Sequence, residues 1–359
     1  LCLGDWNRRP FVDRVEGRVR ELSRRDDSLA SKLISANLQD LFEASDSELL
    51  AELIRLCEKL QIKLGANPLL VIAKSESQDL SARVQAIQSV QANKTQDASD
   101  QLAALLKSKH PEIQVAAVGK LSEIEPKTFA ARLETSWRTL SLPAQQTFLT
   151  ELGTATSDSG DEILSDALVS LLGGELSKAL ELDVVTSAKA RQTSRLKQLV
   201  AQHESRQSAE NPAASYRSTL VGGQPAKGKL VYENHVAAQC VRCHNAGGKG
   251  KQVGPELGGI GKRANKDYLL RSLIAPNSDI AEGFGVTVVE LSNGEVLAGS
   301  IGNRTKKTLT LIPSQGKIRE IPVSLIKNIT ESKTSVMPPV GAILTKHELR
   351  DLMAYLETL

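Results

Sequence analysis

The residues with the clearest chemical meaning form one pentapeptide, Cys240-Val241-Arg242-Cys243-His244. Two thiols three residues apart can each add to one vinyl group along the same haem edge, giving two thioether bonds. The next residue then lies beneath the iron, where its imidazole can serve as the proximal ligand. Other chemistries for these residues need contexts that are missing. A thioredoxin-like pair sits at a strand-to-helix junction in a βαβ setting, and no such pattern flanks residue 240. A zinc site needs a second ligand pair, but the other cysteines, Cys2 and Cys57, are far away and unpaired in pattern. No nucleotide loop, Ser-His-Asp arrangement or metalloprotease motif appears.

Further residues fit around this motif. Val253-Gly254-Pro255-Glu256-Leu257 follows His244 by about ten residues. A backbone carbonyl there can accept the second ring N–H of a ligand histidine, fixing its tautomer and strengthening its donation to the metal. Pro255 is the candidate acceptor. The chain has two methionines. Met337, in the proline-bearing loop Ser335–Pro339, is the candidate sixth ligand, and Met353, on the apolar face of the last helix, reads as core. Arg263 and Tyr268 are candidates for propionate contacts. Lys249, Lys251, Lys262, Arg263 and Lys266 surround the loop. They are read in two ways: as solvated and propionate-neutralising charges, or as an electropositive docking face for an acidic redox partner. His235 and His347 are alternative distal ligands, but they lie in polar helical contexts and read as solvated surface or local hydrogen bonding; His110 and His203 read as structure or surface. Cys57 lies on an apolar stripe and reads as a buried small hydrophobe; a Cys2–Cys57 disulfide is the alternative in an oxidising compartment.

The elements that must position these groups differ along the chain. From about Leu29 to Gln207 the pattern is helix after helix. Ser45-Asp46-Ser47-Glu48 has capping-box spacing, and Leu49, Leu50, Leu53, Ile54, Cys57 and Leu60 then form one apolar stripe. Ala86, Ile87 and Val90 match Ala117, Val118 and Leu121 at an offset of 31, and the same offset leads to Phe148, Leu149 and Leu152. Pro111 and Pro143 stand near the starts of such helices, where a missing N–H costs little. Stacked helix pairs of HEAT-like kind explain the recurrence, although the period is short of the usual ~40 residues; an irregular bundle is the alternative. Ser187–Gln207 reads as one polar helix. The small, polar stretch 208–215 marks a domain boundary, with a linker to about Pro225. Ala226–Cys240 and Asp267–Ile274 read as helices on either side of a Gly-rich loop, Asn245–Gly261. Val286 to Ile329 switches to period two, with Asn293-Gly294 as a hairpin signal, Gln315-Gly316 at another turn, and about five short strands. Thr345–Leu359 closes the chain as an amphipathic helix.

Taken together, Ala226-Lys-Gly228-Lys-Leu-Val-Tyr232, the Cys-x-x-Cys-His pentapeptide, Val-Gly-Pro-Glu-Leu, Val-Met-Pro and Leu349-Arg-Asp-Leu-Met-Ala-Tyr355-Leu resemble a class I c-type cytochrome. In that family the first and last helices cross closely, and Gly228, Tyr232 and Tyr355 match the contact positions. The separation from His244 to Met337 is 93 residues, longer than in a minimal member, and the β-segment accounts for about 44 of them. The combination resembles the haem-binding domain of the Pirellula/Verrucomicrobium type, which carries such an insertion and often ends large secreted proteins with helical repeats and a dehydrogenase-like β-propeller. No propeller pattern is visible here.

The expectation is therefore a mainly α chain. An N-terminal helical repeat or bundle (1–210) is joined by a linker (211–225) to a monohaem cytochrome c fold (226–359) with a small β-meander or barrel inserted at about 286–329. The resemblance implies one haem c on two thioethers, His/Met axial ligation and one-electron transfer, as the relay end of a larger extracytoplasmic redox protein that is fused to or serves a dehydrogenase. The rival readings are a haem peroxidase or ligand sensor, and a helical interaction scaffold with an accessory haem. The bulk properties agree with this expectation. Forty per cent apolar and 24% charged residues are ordinary for a globular chain. Eleven aromatics in 359 residues argue against a base-stacking surface, and a net charge of +3 is too small to indicate nucleic acid. No apolar run approaches the ~18 residues of a membrane span. The part from Ala226 onward carries net +6 and the rest net −3, two units with different tasks. Residue 1 is Leu without a following signal-peptide pattern, so the chain reads as a mature protein or as a segment of a longer one.

Overall fold

In the computed structural model the described residues are 27–62, 64, 66–90, 96–155, 159–206, 213–248, 254–281, 284–313 and 317–359. They fall into two compact units. One holds the residues up to Ala167 together with Thr186–Lys197; the other holds Leu168–Val185 and Gln198–Leu359.

The first unit is helical: α1 (Ser28–Ala36), α2 (Leu38–Ala44), α3 (Ser47–Lys59), α4 (Ala66–Lys74), α5 (Leu80–Gln88), α6 (Gln96–Leu105), α7 (Pro111–Ile124), α8 (Phe129–Leu133), α9 (Leu142–Leu152) and the start of α10 (Ser159–Gly173). The 31-residue recurrence has a direct packing meaning. Its three apolar triplets are all buried; Ala86 and Ile87 lie on α5 with Val90 just past its end, and the other two triplets lie on α7 and α9, where α5 packs on α7 as α7 packs on α9. Pro111 and Pro143 occupy the first turns of α7 and α9. Two local expectations need correction. The cap of α3 is Asp46, whose carboxylate accepts the Leu49 N–H at 2.9 Å, while the Ser45 hydroxyl turns back to the Leu41 carbonyl. Along the predicted stripe Leu50, Leu53, Ile54 and Cys57 are buried, but Leu49 is exposed. In place of the single polar helix expected from Ser187, the described residues form two, α11 (Glu181–Arg191) and α12 (Ser194–Ser205), broken at Gln192 with φ +55°. The break leaves polarity unchanged, so periodicity did not show it.

The second unit is built on α13 (Pro225–Asn234) and α16 (Lys346–Leu356), with α14 (Ile260–Arg263) and α15 (Lys266–Ile274) between them in sequence. A Cβ at Gly228 would lie 1.9 Å from the Asp351 carbonyl oxygen, so only glycine allows this approach of α13 to α16. One turn on, Tyr232 and Tyr355 meet as a tilted pair, 5.6 Å between ring centroids and 48° between planes. The crossing is locked at its ends. The Asp351 carboxylate accepts the N–H of Gln224, the residue before α13, at 2.8 Å, and Thr345 and Glu348 form a reciprocal capping box on α16. Leu269, Leu270, Leu273, Leu349, Leu352, Met353 and Leu356 complete one core. His347 does not bond locally as expected. Its Nε2 meets the buried Asp183 carboxylate at 3.1 Å, and Arg350 donates to the same group at 2.6 Å. Residues 214–219, within the expected linker, form a 3₁₀ turn with Ala214 and Thr219 buried, and Tyr216 donates to the Gly341 carbonyl at 3.2 Å.

Between α15 and α16 the chain forms five antiparallel strands: β1 (Gly285–Leu291), β2 (Val296–Arg304), β3 (Thr308–Ile312), β4 (Arg319–Pro322) and β5 (Ile326–Ser335), in the order β4-β3-β2-β1-β5. Gly294, at φ +86°, makes the turn of the first hairpin. Alternate residues Val289, Leu291, Leu309 and Leu311 point into a core of the sheet's own, with Ile321. The sheet runs to Ser335 rather than Ile329, because Thr330, Glu331 and Ser335 still pair with β1. That last stretch carries no apolar alternation, and backbone pairing alone extends it. The Gln315-Gly316 turn lies outside the described residues.

Candidate functional site

α13 ends at Asn234, and the chain folds over its own end. The N–H groups of Ala237 and Ala238 donate to His235 Nδ1 at 3.3 and 3.0 Å, the local bonding expected of this residue. Gln239 adopts φ +46°, and a 3₁₀ turn follows over Cys240–Arg242. Just past it the His244 N–H reaches back to the Cys240 carbonyl at 2.9 Å. One tight turn thus gathers both thiols and the imidazole. Burial pushes the Cys240 thiol up from its ordinary pKa.

His244 is held from two sides. Its Nδ1 lies 2.9 Å from the Pro255 carbonyl oxygen. A carbonyl can only accept, so Nδ1 carries the hydrogen and Nε2 is left with a free lone pair. Burial holds the imidazole below its usual pKa, against the opposing pull of the Pro255 carbonyl and Glu256, which favours the neutral, ligating form. The Tyr232 hydroxyl donates to the His244 carbonyl at 2.8 Å; burial pushes this phenol up to about 12. Gly254 is the neighbour of Pro255 for a steric reason. A Cβ there would stand 2.8 Å from His244 Cε1, and the Gly254 N–H closes the loop on the Cys243 carbonyl at 2.7 Å.

Cys240, Cys243, His244, Pro255, Arg263, Tyr268 and Met337 all line one cleft of about 300 Å³, within the range of small-ligand sites. Its walls are mainly apolar, with Leu257, Ile260, Leu269, Leu273, Phe284 and Val340 among them. Arg263 is partly engaged already, its guanidinium donating to the Gly258 and Glu256 carbonyls. Met353 does not line the cleft and is buried in the helical core. Lys262 and Lys266 are exposed, and Lys266 pairs with Glu357 at 2.8 Å. Lys249 and Lys251, named for the basic face, lie outside the described residues, as do Val253 and Cys2. Cys57 is free and buried, its thiol pushed up to about 11 by desolvation.

Sequence reasoning missed the steric role of Gly254, the Tyr232 hydroxyl and the wall formed by the segment after α15. That wall comprises Pro276, Asp279, Ile280 and Ala281 with Phe284, and Arg271 donates to Asp279 at 2.6 Å. The turn residues Pro276 and Asn277 mark the segment in the sequence, but nothing there indicates that it folds back over a cleft.

The donor set fits a haem: two thiols on one turn, an imidazole nitrogen with a free lone pair, and a thioether, all around an apolar cleft. Among the described residues no group of three or more His, Cys, Asp or Glu side chains is placed to hold a bare metal ion, and no helix is long and apolar enough to cross a membrane. Among curated proteins, none matches the chain. The cytochrome c family model matches residues 225–288, from the first residue of α13 into β1 and across the pentapeptide, with Met337 beyond the matched stretch. That family binds covalently attached haem c, and the match supports a c-type cytochrome domain in this part of the chain and, with it, haem-based electron transfer in general.

Proposed function

We propose that the chain relays single electrons through one haem c. In this reading Cys240 and Cys243 form the thioethers, His244 Nε2 is the proximal ligand and the Met337 sulfur is the distal one. The observation that carries it is the shared cleft, in which the three pentapeptide residues and Met337 are lining groups and His244 is already oriented by Pro255. A bound haem supplies a reversible ferrous–ferric couple. The Pro255 carbonyl strengthens imidazole donation. A thioether in the sixth position raises the potential relative to a second imidazole. If His244 and Met337 both held the iron, no position would be left for substrate, and the group would supply electron transfer rather than peroxidase or sensor chemistry. Arg263 and Tyr268, which line the cleft, would hold the propionates, and the apolar walls would exclude water.

The proposed cytochrome domain spans 226–359, with the β-insertion beginning near 286 and the linker at 211–225. Its insertion between the two ligand-bearing regions supports the Pirellula/Verrucomicrobium-type reading. The stacked triplets of α5, α7 and α9 support a HEAT-like reading of the helical part within 1–210. Thioether attachment takes place outside the cytoplasm, so the site of action is the periplasm or another extracytoplasmic location. A redox protein docks near Lys249, Lys251 and Lys262.

A pyridine haemochrome spectrum with intact mass tests the reading. The expected result is one haem retained in acidified organic solvent with a two-thioether spectrum. Complete extraction of the haem would overturn it.

A further inference from the structure

We propose that Asn277 is a positioning residue for the distal methionine, tethering the Met337 loop across the root of the inserted sheet. The proposal rests on the reading of Met337 as the distal ligand. The chain leaves α15 through Ala275 and Pro276, passes Asn277 and enters β1 at Gly285. It returns at Ser335, the last residue of β5 and the strand partner of Gly285. There the Ser335 N–H donates to Asn277 Oδ1 at 2.8 Å, joining positions 58 residues apart. The Ser335 hydroxyl in turn accepts the Met337 N–H at 3.1 Å. Two hydrogen bonds therefore connect the backbone of Met337 to Asn277, three residues beyond the last residue of α15.

The tether answers a mechanical problem. Between its two ends lies a five-stranded sheet with a core of its own. Were Met337 held by that sheet alone, small motions of the sheet would move the sulfur in the cleft. α15 is a better anchor, because Leu269, Leu270 and Leu273 bury it in the core that supports the pentapeptide side. Pro276, Ser335, Val336 and Met337 all line the cleft, so the joint lies at its wall. Pro338 and Pro339 stiffen the chain on the far side of the methionine.

Displacing the thioether with an external ligand requires the Met337 loop to detach, and the tether opposes detachment. Losing one such bond shifts a local equilibrium by roughly fivefold. The test is imidazole binding to the ferric holoprotein, read together with the sulfur-to-iron charge-transfer band. Asn277→Ala is expected to bind imidazole about fivefold more tightly and to weaken the band. Asn277→Asp keeps the Oδ1 acceptor and should restore both, which a merely structural role would not predict. Ser335→Ala, which cuts the second link, should act in the same direction as Asn277→Ala. If Asn277→Ala titrates like the unaltered chain while Met337→Ala loses the band, the tether is overturned and the distal ligand stands. If Asn277→Asp behaves like Asn277→Ala, the acceptor is not the operative group and the tether is likewise overturned. If Met337→Ala keeps the band, the distal assignment falls and the tether falls with it.

Discussion

At the residue scale, the decisive contacts gather on one imidazole. Removing His244 takes away the group that Pro255 and Gly254 orient, so His244→Ala should yield no stable low-spin holoprotein, checked by the Soret and Q-band spectrum. Gly254→Ala is the subtler probe. The added methyl meets the ring at 2.8 Å, so the ring or the 254–257 loop must shift, at a cost of about 1–3 kcal/mol. Lengthening the bond to Pro255 makes the imidazole a weaker donor, so the ferric state loses support. The reduction potential should rise, measurable by spectroelectrochemistry. The two methionines separate cleanly. Met337→Ala should lose the sulfur-to-iron band, lower the potential and open the ferrous iron to carbon monoxide. Met353→Leu should change none of these and cost under about 1.5 kcal/mol, because it swaps one packed side chain for another of similar volume. Much of this was legible in residue order, since thioether chemistry needs a fixed spacing and a ligand histidine needs an acceptor a short loop away. The contact that makes Gly254 necessary was not legible, because it depends on how closely a loop returns to a ring.

At the scale of elements, the crossing of α13 and α16 sets the frame of the proposed haem domain. Gly228→Ala drives a methyl into the Asp351 carbonyl and should lower the urea midpoint by an equivalent of about 3 kcal/mol. Asp351 lends the same crossing a pH dependence. Burial pushes its carboxyl above the usual range, against the Gln224 N–H, Arg350, Lys227 and His347. The folded state therefore holds this proton where the unfolded chain has released it. Its contribution is fully present below the unfolded pKa and is lost as pH rises through the folded one. Glu348 acts oppositely. The Thr345 N–H and hydroxyl and the nearby His235 hold it low, so its contribution is present at neutral pH and is lost as pH falls through the folded value. Its partial exposure keeps that contribution small. Asp351→Asn should thus flatten the fall in stability with rising pH above the ordinary carboxyl range, while Glu348→Gln should flatten the loss on acidification. Urea midpoints across pH 3–8 on the two variants check both signs. Period-two alternation exposed β1 to β3 in the sequence, and helical periodicity exposed α16. The break at Gln192 and the polar end of β5 stayed hidden, because each is set by backbone geometry without a change in side-chain pattern.

At the scale of the whole molecule, the chain repeats one packing solution in α5, α7 and α9 and interrupts another with a sheet. The interruption is structurally separable. Val289, Leu291, Leu309, Leu311 and Ile321 form a core distinct from the one around Tyr232, Leu270 and Leu352. Its two ends meet, since Gly285 and Ser335 are direct strand partners, and antiparallel partners stand only about 5 Å apart. Two or three glycines can span that gap. Replacing residues 286–334 with such a link keeps Asn277, Ser335 and Met337, so the proposed distal ligand should still reach the iron. The shortened chain should take up haem c and show the sulfur-to-iron band. Its imidazole affinity should stay within about twofold of the full chain, because the two tethering hydrogen bonds survive the excision. Loss of the band with haem still attached would mean that the sheet itself holds the distal loop. Loss of haem incorporation altogether would mean that the two cores fold as one.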